Sequence, residues 1–424
     1  MRFTAPQIAL AGLLLLTTIR ANAGVDGIEV EVAIDPSAGT ITATSHLTIT
    51  PPVGEKTIEL LLNRKLQVTR VDADIGLAGF EHLRDGAGPY RYAAQATALR
   101  VHLAEPADGR PFRLRVAYNG EVEPDAWGVI QLHDRWVELV AGYSGWIPFD
   151  PSGGPFSATW RARFPEGWAA VGTGTPNFAD GEWLATAEST EDLVLIAAPK
   201  LRQLPIGDSL AISHVDLPQG VPELIATDAQ RVRATLTAWF GPAKSDGRVE
   251  IVFAAREKGG GYARPGLVVM LYQGAYADDS KAGPGFIRYL AHEISHLWWR
   301  GAPTTDWHDW LNESFAEMSA LMILREEFGE QEFQDRLARY RKASAEAPAV
   351  QCVDRNQEIA YTVLYQKGPV LLAELEQSIG RAAFLRFLRA LVEGEIATTE
   401  ACLDTLARVV SPEARNQLGA ALRR

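Results

Sequence analysis

Cysteine is nearly missing from this chain, which holds only Cys352 and Cys402 in 424 residues. Neither sits in a C-x-x-C or zinc-knuckle spacing, so neither is assigned metal or redox chemistry. In an oxidising compartment the two could pair, or they could stand as separate buried thiols; sequence separation does not fix a Cα distance. Positive charge is also short. Lys and Arg number 41 against 53 Asp and Glu, the net charge is −12, and no Lys/Arg-rich run occurs. That balance argues against a nucleic-acid partner and against anionic membrane surfaces. No apolar run beyond the N-terminus approaches the roughly 20 residues a spanning helix needs, and no repeat or low-complexity tract stands out. What remains is an acidic globular chain, 47% hydrophobic and 22% charged, long enough for two or three domains.

The first residues read as an address. "MRFTAPQIALAGLLLLTTIRANAG" joins Arg2 to an apolar stretch over Ile8–Leu16 and then to Ala21-Asn22-Ala23. A positive start, a short apolar core and an A-x-A ending describe a secretory signal peptide, residues 1–23. The expectation is export to a periplasm or the extracellular space, with no stable membrane anchor after cleavage.

From residue 24 to about 204 the pattern is β. "IEVEVAIDPSAGTITATSHLTIT" alternates across a turn at Pro36–Gly39, and "LRVHLAEPADGRPFRLRVAY" reads as a hairpin around Ala107-Asp108-Gly109. Short strands between Gly, Pro and Asp turns predict an antiparallel β-sandwich over 24–204. The rhythm then changes. "VPELIATDAQRVRATLTAWFG" has helical spacing and stops at Gly241-Pro242, "RVEIVFAA" and "GLVVML" read as strands, and from Gly285 onward the chain is mostly helical. The fold class is α+β and multidomain, with residues 205–424 forming a small sheet and a helical body.

The chemistry concentrates in "AHEISHLWWRG". His292 and His296 stand at i and i+4 on one predicted helix, hence on one face. That spacing lets both imidazoles reach one Zn²⁺ at about 2.0–2.1 Å. Glu293 would flank the open position and take a proton from water acidified by the metal. A catalytic zinc needs a third protein ligand, and "WHDWLNESFAEMSALMILREEFG" offers Glu313 in the first turn of the next helix. Glu317, one turn on, could orient a ligating imidazole or could simply favour the helix N-terminus electrostatically. One Zn²⁺ per chain is the expected cofactor. The other six histidines are scattered and read as surface or structural.

Together, "HEISHLWWRGAPTTDWHDWLNESFAE" resembles the zinc signature of the aminopeptidase N family, gluzincin metallopeptidases that include leukotriene hydrolase. Sixteen residues separate His296 from Glu313, two fewer than the family's usual spacing, and Ser314 stands where the family usually has Gly. "AYTVLYQKGPVLLAELEQSIG" is similar to the family's Tyr-x-Lys-Gly helix, which implies that Tyr365 hydrogen-bonds the developing oxyanion. "GYSGWIPFDPSGGPFSATW" resembles the entry to the family's N-terminal domain. The likeness implies a saddle-like β-domain followed by a thermolysin-like catalytic domain.

Two departures bear on specificity. Where the family has Gly-Ala-Met-Glu-Asn, with a glutamate for the substrate's α-amine, this chain has "GGGYARPGLVVM". No glutamate is present, and Arg264 near its place would repel an ammonium and could attract a carboxylate. Gly260, Gly261 and Tyr262 still offer an edge on which a substrate could pair as an added strand. Glu138 falls near the family's N-domain acid and could supply some amine recognition. The family's large C-terminal helical domain is not expected, which would leave the cleft open to longer substrates unless an oligomer covers it. The functional expectation is a zinc metallopeptidase acting on peptides or proteins, aminopeptidase-like with altered N-terminus recognition. An endopeptidase or oligopeptidase of the same fold, or a catalytically weak peptide-binding or scaffolding homologue, stands as the alternative.

Overall fold

A computed structural model describes residues 24–150, 153–243, 247–276 and 281–424. The signal-peptide expectation, on residues 1–23, lies outside the described residues.

The first half is built from strands whose alternating residues are buried, the mark of sheets with one wet face. Val25–Asp35 and Thr40–Ile49 form the hairpin expected across Pro36–Gly39, in register from Asp35↔Thr40 to Val25↔Ile49. They lie in a seven-stranded sheet, in the order 177–179, 182–190, 156–163, 25–35, 40–49, 112–121, 67–73. The sheet is not wholly antiparallel, because Val25–Asp35 pairs in parallel with Phe156–Arg163. A parallel neighbour needs a long crossover, and the strands between these two supply it.

A second difference concerns the hairpin read around Ala107–Gly109. Ala96–Leu103 joins a three-stranded sheet with Thr57–Asn63 and Leu77–His82, whereas Phe112–Glu121 joins the seven-stranded sheet. The turn residues mark where the chain bends, but both strands find better-matched partners elsewhere. Ala107 is fixed instead by backbone hydrogen bonds with Gly54 and Glu55.

The second half opens on a five-stranded sheet, in the order 202–206, 210–214, 249–253, 267–270, 262–264. Its central strands are apolar on both faces. Ile251, Phe253, Val268 and Met270 enter the helical core, whereas Val252, Leu267 and Val269 enter the core of the β-rich half. A sheet covered on both sides reads as an unbroken hydrophobic run, which is how "EIVFAA" and "GLVVML" read. Its outer strand, Tyr262–Arg264, presents the edge preceded by Gly259–Gly261.

Helices Val221–Phe240, Pro284–Ser295, Trp310–Phe328 and Gly368–Ile379 pack over the other face. Among the described residues, no helix is long and apolar enough to cross a membrane.

Candidate metal centre

The helix Pro284–Ser295 starts on a proline, whose missing N–H costs nothing in a first turn. It ends at His296, which keeps helical angles (φ −64, ψ −11) and so shares a face with His292. The chain then turns back through 301–309. Asn312 grips that return from both sides: its Oδ1 accepts from Ala302 N at 3.1 Å and its Nδ2 donates to Ala302 O at 2.9 Å. Trp299 Nε1 adds a bond to Ser319 Oγ at 3.0 Å. These ties let a short connector bring the helix Trp310–Phe328 alongside, with Glu313 in its first turn.

Three atoms then converge. His292 Nε2 and His296 Nε2 are 3.3 Å apart, and each lies 3.4 Å from Glu313 Oε2. Ligands at about 2.0–2.1 Å from a tetrahedral zinc stand about 3.3 Å from one another, so the triangle has the edge length that ion requires. Each imidazole is locked from behind. His296 Nδ1 lies 2.8 Å from Trp299 O, and His292 Nδ1 lies 2.9 Å from Glu317 Oε2. With an acceptor beside each Nδ1, by ion-pair distance alone in the case of His292, each Nε2 faces the common point.

Glu317 is itself held by Arg288 Nη1 at 2.7 Å and by the Tyr340 hydroxyl. Burial works to raise its pKa, but Arg288 and His292 outweigh that and bring it to about 2. Burial likewise works against the charged form of His292. The carboxylates of Glu313 and Glu317 overcome it and raise that pKa to about 10, a measure of how strongly the pocket favours positive charge.

Glu293 is 4% exposed, and burial raises its pKa above the ordinary carboxylate value. It faces the glycine edge: a Cβ built on Gly261 would lie 2.5 Å from Glu293 Oε1 and 2.6 Å from Tyr289 Oη. A side chain here would have to displace both groups. Gly259 and Gly260 also line a cavity of about 500 Å³ with Leu271, Arg288 and Tyr289.

Tyr365 stacks on His292 with ring centroids 5.5 Å apart, and Tyr361 stacks behind it at 4.6 Å. Burial holds the Tyr365 hydroxyl protonated, its pKa well above the usual value, so it can donate. The residue sits in a π-helical stretch, Val363–Lys367. Such a bulge frees a backbone carbonyl, and Ser314 Oγ donates to Leu364 O at 2.6 Å. Ser314 thus occupies space opened by Gly368, where a Cβ would lie 1.9 Å from Ser314 Oγ. Gly368→Ala is expected to cost about 1–3 kcal/mol through overpacking and to lower turnover by displacing Tyr365. Pairing it with Ser314→Gly should restore much of both, as thermal melts and kinetics of the double-mutant cycle will show.

Two expectations for the substrate side, Glu138 and Arg264, differ from the structure. Glu138 is 0% exposed and accepts bonds from Trp136 Nε1 (2.9 Å), Arg256 Nε (3.0 Å) and Tyr262 Oη (3.0 Å). A carboxylate enclosed by three donors is not offered to an amine. Tyr262 turns its hydroxyl into that same network and is 4% exposed, so its part in the expected edge falls to its backbone on the outer strand. The Arg264 guanidinium is matched by Asp192 Oδ2 at 2.8 Å and lies over the rings of Tyr143 and Tyr262. Its charge is already balanced, which removes the reason to expect a bound carboxylate there.

The structure also shows residues that sequence reading passed over. Arg256, Asp192, Arg288 and Tyr340 hold the site's neighbours in place, yet none lies in a motif; each is recognised only by its partner. Asp309 was passed over too, although it lies inside the quoted motif; it accepts from Arg355 and Asn312.

The cysteines are both free, Cys352 exposed and Cys402 buried.

Comparison with known proteins agrees with this fold. No curated protein matches the sequence. An M1 zinc metallopeptidase from Deinococcus radiodurans shares the fold, with a TM-score of 0.72 at 21% identity over 95% of this chain and 94% of that one. A point mutant of the Deinococcus radiodurans metallopeptidase, bound to a Tyr-Ser-Ala substrate, gives 0.70 at 22% identity over 96% and 95%. Leukotriene A4 hydrolase from Saccharomyces cerevisiae gives 0.74 at 18% identity over 94% of this chain and 67% of that one. Residues 267–416, which hold both histidines, Glu293, Glu313 and Tyr365, match the Peptidase family M1 domain, in agreement with the resemblance of the motifs.

Proposed function

We propose that this protein is an exported zinc metallopeptidase that hydrolyses peptide bonds, aminopeptidase-like with altered recognition of the substrate's N-terminus. The observation that carries this reading is the triangle of His292, His296 and Glu313, with Glu293 and the glycine edge beside it. Zinc, when bound, supplies a Lewis acid that polarises a carbonyl and acidifies water. Glu293 takes the proton of the attacking water and passes it to the leaving amine. Tyr365 donates to the oxyanion as charge develops. The backbone at Gly259–Gly261 aligns the peptide as an added strand.

Support for an aminopeptidase comes from the fold and from Glu191. This residue is exposed between buried Thr190 and Asp192; its surroundings raise its pKa by desolvation, and the charges of Arg300, Arg264 and His296 oppose that rise. It offers a carboxylate to an α-ammonium in place of the enclosed Glu138. The enclosure of Glu138 and the pairing of Arg264 favour the second reading, an endopeptidase or oligopeptidase.

A panel of fluorogenic aminoacyl amides run beside N-terminally blocked peptides separates the two. Cleavage of the free-amine substrates is expected, with kcat/KM at least tenfold above that of the blocked ones. The reverse order would establish internal cleavage. Export rests on the pattern of residues 1–23, and the mass of the mature protein should place its first residue at Gly24.

A further inference from the structure

Among the described residues, the Arg256–Glu138 pair is the most deeply buried ion pair near the site. The two side chains are 1% and 0% exposed, and 118 residues separate them in sequence. A buried pair of this kind is often no more stable than well-packed apolar residues of similar volume, so its geometry rather than its energy calls for explanation.

That geometry runs outward to the glycine edge. Glu138 fixes Nε of Arg256 at 3.0 Å, and the other two nitrogens each take a backbone carbonyl. Nη1 donates to Lys258 O at 2.5 Å, and Nη2 donates to Gly260 O at 2.8 Å. A Cβ on Gly259 (φ +88) would lie 2.6 Å from Arg256 Nη1, so the backbone is drawn tightly over the guanidinium. Among the described residues there is no cis peptide bond. In a trans peptide the carbonyl and the following N–H point in opposite directions. With Gly260 O turned inward to Arg256, the Gly261 N–H must point away from it. Gly261 is also the residue that lies against Glu293.

We propose that Arg256, clamped by Glu138, is a positioning residue that turns the Gly260–Gly261 peptide so that its N–H meets a backbone carbonyl of the substrate beside the scissile bond. This rests on the peptidase reading above. It gives Glu138 a role quite different from amine recognition: it aims a backbone donor by way of Arg256.

The test compares full-length wild type with Arg256→Lys and with the apolar double variant Arg256→Met/Glu138→Leu, which removes both charges together and avoids stranding one. Zinc content, the thermal midpoint, kcat, KM for tripeptide amides, and inhibition by acetohydroxamate are measured for each. The expected result is KM raised about fivefold to tenfold in the double variant, the effect of one lost backbone hydrogen bond. Arg256→Lys, which keeps one cation and fewer donors, should fall between. Zinc content, kcat within twofold and the hydroxamate constant should stay unchanged, because that small chelator needs the metal and not the edge. Unchanged KM in an active wild-type background overturns the proposal alone. Equal losses in kcat, zinc and hydroxamate binding also overturn it, since they mark a general structural role. A wild type that binds zinc but cleaves no substrate overturns the peptidase reading, and the proposal with it.

Discussion

Glu293→Gln should lower kcat/KM by about 10³-fold, within the range expected for loss of a general acid–base, and leave zinc content unchanged. Glutamine keeps the size of the side chain and its place beside Gly261, where the nearest approach to a built Cβ is 2.5 Å. What it loses is the ability to accept a proton. The residue is not among the three whose atoms converge, so the metal should remain at one ion per chain. Burial pushes the Glu293 carboxyl upward, which makes it a stronger base than an ordinary surface carboxylate and so better suited to draw a proton from water. Single-turnover kinetics with elemental analysis of the same sample settles the matter. If wild type and variant share the same background-level hydrolysis across broad substrates, the protein binds peptides without turning them over.

The metal triangle was legible in the sequence because its parts are local. An i, i+4 pair of histidines needs only a helix, and Glu313 needs only a helix that returns. Tyr365 was found by a different route, the resemblance of its stretch to the Tyr-x-Lys-Gly helix; its stacking on His292, from another helix, is not written in that stretch. The substrate side was not legible, for a physical reason. Whether a carboxylate is free depends on which cation the fold brings to it. Glu138, on the strand Trp136–Val140, meets Arg256 in the loop after Val249–Phe253, and Arg264, on Tyr262–Arg264, meets Asp192 in the connection between Glu182–Thr190 and Val194–Ala198. No local pattern encodes either encounter. The misread hairpin has the same origin. Strand Ala96–Leu103 and strand Phe112–Glu121 each alternate as a half-buried strand should, and alternation says which face is buried but not which neighbour is paired.

Removing the third ligand carries the largest consequence for the protein as a whole. Glu313→Gln is expected to lower zinc affinity by more than the 10–100-fold typical of an outer-shell residue, a loss that Glu317→Ala should show for comparison. The reason is electrostatic as well as geometric. Glu313 Oε2 is buried without a hydrogen-bond partner, an acceptor oriented toward the point shared by the two imidazoles. A neutral amide there presents a weaker ligand and leaves a cation poorly balanced in a site little exposed to water. Because an ion that binds only the folded state stabilises it by mass action, free zinc at a thousand times its dissociation constant is worth about 4 kcal/mol to the wild type. Chelation should therefore lower the wild-type melting temperature, and readdition of zinc should restore it. The Glu313→Gln protein should melt near the chelated wild type and respond little to the same zinc concentration. Calorimetric melts across a zinc titration provide the measurement. A variant that still takes up one zinc with wild-type affinity would show that the ion is held elsewhere, and the triangle would lose its claim to be the centre of the chemistry.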